Sequence, residues 1–302
     1  MKETTLQENK MGVMSVGKLL FNMAMPMILS MLVQALYNIV DSIYVSRISE
    51  SAVTALGLAF PVQNIQIGFG TGIAVGVNSL LSKSLGEGNR ERANRAAGNG
   101  IFLVQVATAI FMLFGAFGSR FYYSVQSNVT ETVENGTIYS TICCLCTIAI
   151  FGEILFVRLL QSTGRTLHTM ITQGTGAIIN IVLDPVFIFG VPELGIAPMG
   201  MAGAAVATVL GQTVAATMAL IFNIKFNPDV KLSLRNMLPK MEIIRPILTV
   251  GVPSIIMMGI GAVMNFSMNQ ILLGFEGEAR PLPVCSAFII SCRVSSLCRC
   301  SA

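Results

Sequence analysis

The chain has 302 residues, of which 53% are hydrophobic and only 11% are charged, whereas soluble domains carry about 25% charged residues. A soluble core of this size cannot bury half of the chain, so an ordinary water-soluble protein is excluded and the lipid bilayer is the expected environment. The net charge is +4, and because no basic face is visible we expect no nucleic-acid partner.

Seven apolar stretches are each long enough to cross a bilayer, which takes about 20 predominantly apolar residues. They are residues 19–45, 53–82, 98–118, 138–157, 168–190, 199–224 and 246–275. The loops between them are short, which is typical of packed helices. A membrane β-barrel is excluded because each of its strands would need about 10 residues of alternating hydrophobicity. The sequence therefore predicts an all-α membrane protein, a polytopic helix bundle.

Lysine and arginine are distributed unequally along the chain. The amino terminus and the even-numbered loops carry 14 of them, with Arg158 and Arg165 assigned to the fourth loop, whereas the odd-numbered loops carry two, Arg47 and Arg120. Positive residues accumulate on the cytoplasmic side of a membrane. The amino terminus is therefore predicted to be cytoplasmic, with the chain in the plasma membrane.

Small residues recur at every fourth position of two predicted helices. These residues are Gly68, Gly72 and Gly76 in the second span, and Gly203, Ala207 and Gly211 in the sixth. Ridges of this kind allow helix backbones to approach closely in lipid, so we expect both ridges to be helix contacts.

One internal repeat is visible. The segment Met25–Met31 can be laid on Val252–Met258, and an even number of spans separates the two copies. Both copies therefore have the same orientation, as in two-lobed transporters that are built from parallel repeats.

Several segments together resemble the multidrug and toxic compound extrusion (MATE) transporters. The resemblance is carried by Pro26, Gln34, Asn38 and Asp41 in the first span, Leu56–Pro61 in the second, the loop Gln161–Thr166, then Asn180, Leu183, Asp184 and Pro185, and finally Gly200–Gly211. It extends from about residue 15 to residue 278. It implies a twelve-helix, two-lobed antiporter that exports drugs and other organic cations across the bilayer, coupled to an inward gradient of Na⁺ or H⁺ and without another cofactor.

MATE transporters are longer than this chain, so the resemblance implies an incomplete transporter. We predict a cytoplasmic amino terminus (1–18), a six-helix lobe (19–224), a cytoplasmic inter-lobe loop (225–245), the first helix of an unfinished second lobe (246–278) and an aberrant tail (279–302). In the tail, apolar periodicity gives way to scattered Cys and Arg, which we interpret as a shift of the reading frame after about residue 278, either in the gene or through a sequencing error. With one wall of the pathway, such a chain is predicted not to transport by itself.

Acidic and amide side chains inside two spans indicate a coupling site. A carboxylate at the centre of a membrane helix costs about 2.5–3.5 kcal/mol, so it usually marks function. Asp41 shares a helical face with Asn38, and Asp184 shares one with Asn180. Facing each other, these groups would suit a hard cation or a shared proton. In the alternative interpretation, Asp41 ends its span at the interface and Asp184 is a turn residue before a proline.

A substrate cavity is predicted next to this site, lined by Met31, Gln34, Tyr37 and Glu153. Flexible Met side chains adapt to varied ligands. Two roles stay open for Glu153, a proton site or a structural partner of a polar neighbour. Pro26 leaves a backbone carbonyl without its helical donor, which predicts a hinge in the first span.

Two other functions are compatible with a polytopic bundle. A lipid-linked oligosaccharide flippase of the same superfamily would favour a strongly cationic cavity. A non-transporting membrane scaffold would not require Asp41 or Asp184. We expect no enzyme, because the sequence shows no His cluster, no nucleophile–base pair and no metal motif.

Overall fold

The computed structural model of the chain describes residues 15–127, 129–191, 197–230 and 232–274. Its helices are α1 (Val16–Ser46), α2 (Glu50–Gly86), α3 (Arg90–Phe117), α4 (Ser119–Gln126), α5 (Thr130–Leu145), α6 (Thr147–Ser162), α7 (Thr166–Phe189), α8 (Met201–Phe226) and α9 (Met241–Gly274). A 3₁₀ turn, Leu234–Met237, lies between α8 and α9. The predicted aberrant tail, 279–302, falls outside the described residues.

The predicted all-α, polytopic membrane fold is confirmed. Among the described residues, six helices are long and apolar enough to cross a membrane, and the bent pair α5–α6 makes a seventh span if it is counted as one. Each predicted span coincides with one of these helices or with the pair. The helices extend beyond several predicted ends, because the polar turns at their termini keep helical geometry.

The fourth predicted span, 138–157, is divided by a bend of 50° between α5 and α6. The break lies at Cys146, next to Thr147, whose hydroxyl donates to the backbone carbonyl of Cys144 at 2.6 Å. The buried side chain of Gln66, from α2, donates to the same hydroxyl. These side-chain bonds replace helical backbone bonds at the break, so the chain can change direction inside the bundle.

The first glycine ridge is a contact between α2 and α9, which confirms the predicted close packing. A Cβ atom added at Gly72 would lie 2.8 Å from the carbonyl oxygen of Gly251, and one added at Gly76 would collide with the carbonyl group of Ile247. Only the hydrogen atom of a glycine side chain fits between these two backbones. Helix α2 is thereby fixed against α9.

The second ridge brings α8 against α7, again as predicted. A Cβ atom at Gly203 would collide with the backbone of Phe187, and one at Gly211 would lie 2.9 Å from the carbonyl oxygen of Gly176. Thr208 lies between these two contacts on α8. The close approach therefore holds the Thr208 side chain against Asn180 of α7.

Contacts at the two ends of the bundle agree with an alternating path through a membrane. At one end, the buried Asn99 of α3 donates to the carbonyl of Asn236 at 3.3 Å and accepts from the backbone N–H of Lys240 at 2.9 Å. At the other end, Ser51 of α2 donates to the carboxylate of Glu131 in α5 at 2.6 Å. The second and sixth loops thus lie together, and the first and third lie at the opposite end.

Candidate functional site

The acidic residues of the first and fifth predicted spans meet inside the bundle. Helix α1 packs along α7, and Asp41 and Asp184 are 5% and 0% exposed, respectively. The two carboxyl groups are close enough to interact electrostatically. Two neighbouring carboxyl groups in a low dielectric repel each other when both are charged, and a proton or a cation between them relieves that repulsion.

Asn180 connects this pair to α8. With its amide oxygen facing α8, Asn180 accepts hydrogen bonds from the hydroxyl (3.3 Å) and the backbone N–H (3.2 Å) of Thr208, and its nitrogen donates to Oδ2 of Asp184 at 3.0 Å. The other oxygen of Asp184, Oδ1, is buried and accepts no hydrogen bond from the described residues. A buried carboxylate oxygen without a hydrogen-bond donor is suited to bind a proton or a cation.

Asn38, the fourth predicted member of the site, lies half-buried on α1. Its amide nitrogen donates to the backbone carbonyl of Gln34 at 2.8 Å, one turn earlier on the same helix. A place for Asn38 among the ligands therefore stays a prediction. Thr208, described above, belongs to the cluster although nothing in the sequence of α8 distinguishes it from the other threonines of that helix.

Tyr139 is a second member that the sequence did not indicate. It is 2% exposed, its hydroxyl accepts from Nε2 of Gln63 at 3.0 Å, and it lies within electrostatic range of Asp41. Helix α5 thus contributes a buried hydroxyl to the surroundings of Asp41.

A cavity of about 240 Å³ lies beside the acidic pair, between α1, α2, α6, α7 and α8. All four residues predicted for a substrate cavity line it: Met31, Gln34, Tyr37 and Glu153. Asn180 and Thr208 line it as well, so the cavity and the acidic pair share one wall. The polar residues that sequence reasoning missed are Thr71, Arg158, Gln161, Gln173 and Gln212.

The position of Arg158 differs from the predicted one. The sequence assigned it to the fourth loop, but α6 continues to Ser162, and Arg158 lines the cavity half-buried. Its Nη1 donates to Oε1 of Gln161 at 3.1 Å. Glu153, one and a half turns earlier, is also half-buried. Within the described part of the chain its carboxylate takes part in no hydrogen bond or ion pair.

The predicted hinge residue Pro26 lies inside α1, and the helix continues through it. The buried Ser30 donates from its hydroxyl to the carbonyl of Pro26 at 2.9 Å. Hydroxyl bonds to the preceding turn favour bending of a helix. A bend at Pro26 during function stays a prediction.

Thr208→Val should lower the thermal stability of the protein. The substitution keeps the shape of the side chain but removes one of the two Thr208 donors to the buried Asn180, whose amide oxygen keeps the backbone N–H of Thr208. The net loss of one hydrogen bond costs about 0.5–1.5 kcal/mol. The measurement is the melting temperature in detergent. Thr213→Val is the matched control, because Thr213 is exposed on the same helix and bonds only the carbonyl of Val209. Equal melting temperatures of the two variants would contradict the role of Thr208.

Comparison with known proteins shows similarity to a family of membrane transport proteins. The family model described as MatE matches residues 26–186, more than half of the chain. The multidrug export protein MepA of Staphylococcus saprophyticus is 22% identical over 266 residues, which cover 88% of this chain and 58% of that protein. A FAD transporter of Shewanella oneidensis is 27% identical over 213 residues, which cover 68% of this chain and 45% of that protein.

Solved structures agree with these similarities. The chain is similar to the inward-facing conformation of a multidrug resistance MATE family transporter of the MOP superfamily, with a TM-score of 0.77 and 27% identity, over 87% of this chain and 58% of that one. The chain thus matches only 45–58% of the length of these proteins.

Proposed function

Since this chain belongs to the MatE family, we propose that it forms the ion-coupling and substrate-binding lobe of an antiporter that exports organic cations and other drugs across the plasma membrane. Na⁺ or H⁺ is the proposed coupling ion. The names of the multidrug exporters to which the chain is similar support export as the activity. The proposed lobe comprises α1 to α8, with α9 as the first helix of a second lobe.

The observation that carries this proposal is the shared wall between the cavity and the acidic pair. Asn180 lines the cavity with one face and donates to Asp184 with its amide. A change in the charge of Asp184 therefore acts directly on a group that borders the substrate. Because the two sites are adjacent, the ion and the substrate can each favour a different conformation of α1. Antiport requires such competition between ion and substrate.

The coupling follows from charge compensation. When a proton or Na⁺ enters between Asp41 and Asp184, it removes the repulsion between the carboxylates and permits α1 to pack more closely on α7. Pro26 is the place where α1 can bend to do so. The ion favours the conformation with low substrate affinity, and the exchange depends on the ion binding the two conformations differently.

Equilibrium binding to the 302-residue chain in detergent tests the proposal. Radiolabelled ethidium, an aromatic cation, should bind, and either Na⁺ or acidification should lower its apparent affinity. Asp184→Asn should bind ethidium but lose this competition. Ethidium binding that is insensitive to both ions would refute coupling, and the absence of any binding would refute the cavity as a substrate site.

An anionic substrate is a second candidate, favoured by Arg158. The relative from Shewanella oneidensis is named a FAD transporter, FAD carries phosphates, and a guanidinium is well suited to bind them. Adding FAD to the binding assay tests this candidate. A lipid-linked oligosaccharide flippase is less well supported, because the cavity carries one acidic and one basic side chain, Glu153 and Arg158, rather than a cationic lining.

The proposed orientation places the amino terminus and the loop between α8 and α9 in the cytoplasm. In a cysteine-free variant expressed in intact cells, Ser233→Cys in that loop should be protected from a membrane-impermeant maleimide, whereas Ser124→Cys, exposed in α4 at the opposite end, should be labelled. The physical reason is the excess of Lys and Arg at the first end. Labelling with the reverse pattern would invert the topology.

A further inference from the structure

A second cavity lies at the end of the bundle where the second and sixth loops meet. Its volume is about 460 Å³, within the range of about 300–1,000 Å³ that is usual for ligand pockets. It is formed by the first turns of α3 and by the connection from α8 to α9, and it is lined by Glu91, Arg95, Asn99, Asn236, Leu238 and Lys240. None of these residues lines the cavity beside the acidic pair, so the proposed function gives them no role.

Two cationic residues of this cavity, Arg95 and Lys240, are held together by one buried amide. Asn99 is 0% exposed. Its nitrogen donates to the backbone carbonyl of Arg95 at 2.9 Å, and its oxygen accepts from the backbone N–H of Lys240 at 2.9 Å. A Cβ atom added at Gly98 would collide with the carbonyl group of Asn236, so the connection packs tightly on α3. The positions of both cationic residues are therefore fixed by contacts within the bundle.

Both cationic side chains retain N–H groups for a ligand. The Arg95 guanidinium donates from Nη2 to the carboxylate of Glu91, one turn earlier on α3. This pair is exposed, and exposed ion pairs contribute little to stability. A guanidinium has five N–H donors, so others remain. The ammonium of Lys240 forms no ion pair within the described ranges. Two basic side chains against one acidic side chain suit an anion with several oxygens, such as a phosphate group.

Apolar side chains border the cationic ones at this end of the bundle. Leu238 lines the cavity and is 64% exposed, and Met241, next to Lys240, is 79% exposed. Cationic and apolar side chains occur side by side where the headgroups of a bilayer meet its acyl chains. Basic pockets at the cytoplasmic ends of membrane helices bind the headgroups of anionic lipids. A soluble anion would leave the apolar side of this cavity unused.

We propose that this cavity binds an anionic phospholipid, with its phosphate oxygens on Arg95 and Lys240 and its glycerol and acyl chains against Leu238. The bound lipid joins α3 to the start of α9, and it thereby holds the connection between the two lobes on the first lobe. The site is separate from the substrate cavity, so the inference goes beyond the proposed function and does not depend on it.

Calorimetric titration of the full chain in detergent tests the site with three compounds. Dioctanoyl-phosphatidylglycerol is anionic, and dioctanoyl-phosphatidylcholine has the same acyl chains and phosphodiester without net charge. The anionic lipid should bind about fivefold more tightly, as expected for one cationic contact near a membrane surface. Glycerophosphoglycerol, the same headgroup without acyl chains, should bind more weakly still. Equal binding of the two lipids would overturn the inference. If glycerophosphoglycerol binds as tightly as the anionic lipid, the ligand is a soluble phosphate compound and the lipid site is refuted.

Substitutions in the cavity should act with opposite signs. Lys240→Gln should weaken binding of phosphatidylglycerol about fivefold, and it should leave the bond to Asn99 in place because that bond uses the backbone N–H of Lys240. Glu91→Gln should strengthen the binding, since it removes a carboxylate that competes for Arg95. A purely structural role of the pair between Glu91 and Arg95 predicts no such gain. Unchanged affinity in Lys240→Gln, or no gain in Glu91→Gln, would contradict the proposed contacts.

Lys225→Gln is the matched control, because Lys225 is exposed at the end of α8 and lies outside this cavity. It removes the same charge from the same end of the bundle and should leave the affinity for phosphatidylglycerol unchanged. If it weakens the lipid as much as Lys240→Gln does, the attraction belongs to the general charge of this end and the inference fails. Ethidium binding should be the same in all three variants, so a failure of the lipid site leaves the proposed function standing.

Discussion

Asp184→Asn should abolish gradient-driven export, and Asp41→Asn should do the same. Asparagine has nearly the same shape as aspartate, but it neither takes up a proton nor offers a charged oxygen to Na⁺. Because both carboxylates are buried and interact with each other, removing one charge also removes the repulsion that an incoming ion relieves. Coupling is therefore lost in either variant, whichever of the two ions the protein uses.

The measurement is ethidium export from everted membrane vesicles under separate Na⁺ and H⁺ gradients, with the variants made in the longest reading frame of the gene. Export should fall to the level of vesicles without the protein, while the amount of inserted protein is unchanged. Asp229→Asn is the matched control, because Asp229 lies in the connection after α8, away from the cavity. Export at the unaltered rate in both α1 and α7 variants would exclude the coupling site.

Gly76→Leu should prevent stable packing of α9 against α2. The position that the new Cβ would take is occupied by the carbonyl group of Ile247, and a backbone atom cannot move aside as a side chain can. Overpacking of a core costs about 1–3 kcal/mol and occasionally more, and the upper end is expected when two backbones are forced apart. The variant should melt at a clearly lower temperature in detergent or fail to give a monodisperse protein.

Gly86→Leu is the control for this variant, since it lies at the end of the same helix with nothing within 4 Å of its added Cβ. It should leave the melting temperature unchanged. Ile247→Ala should not rescue Gly76→Leu, because the collision is with the carbonyl group and not with the end of the Ile247 side chain. A rescued or unaffected double variant would show that the contact between α2 and α9 is looser than the structure has it.

The sequence by itself determined the class of fold, and it named residues that the structure brings together around one cavity. Because the chain has few charged residues, the bilayer is the only environment that suits it. The spacing of four residues places Gly68, Gly72 and Gly76 on one helical face, and this predicted the close contact with a neighbouring helix backbone. The same rule put Asn180 and Asp184 on one face of α7. Met31, Gln34, Tyr37 and Glu153 were assigned to a cavity that the structure contains.

Only the tertiary structure showed how these elements meet. At the break near Cys146, Gln66 of another helix donates a hydrogen bond to Thr147, and the sequence of an apolar stretch does not show which residue of a distant helix will bond to it. Tyr139 and Thr208 are ordinary members of their own helices and gain a role only through the helices that pack against them. Arg158 was assigned to a loop because it follows the end of a predicted span and because Lys and Arg accumulate in cytoplasmic loops. The structure places Arg158 in the wall of the cavity. A helix inside a bundle can carry a charged side chain where the neighbouring helices leave a polar cavity, and only the packing of those helices shows where this is.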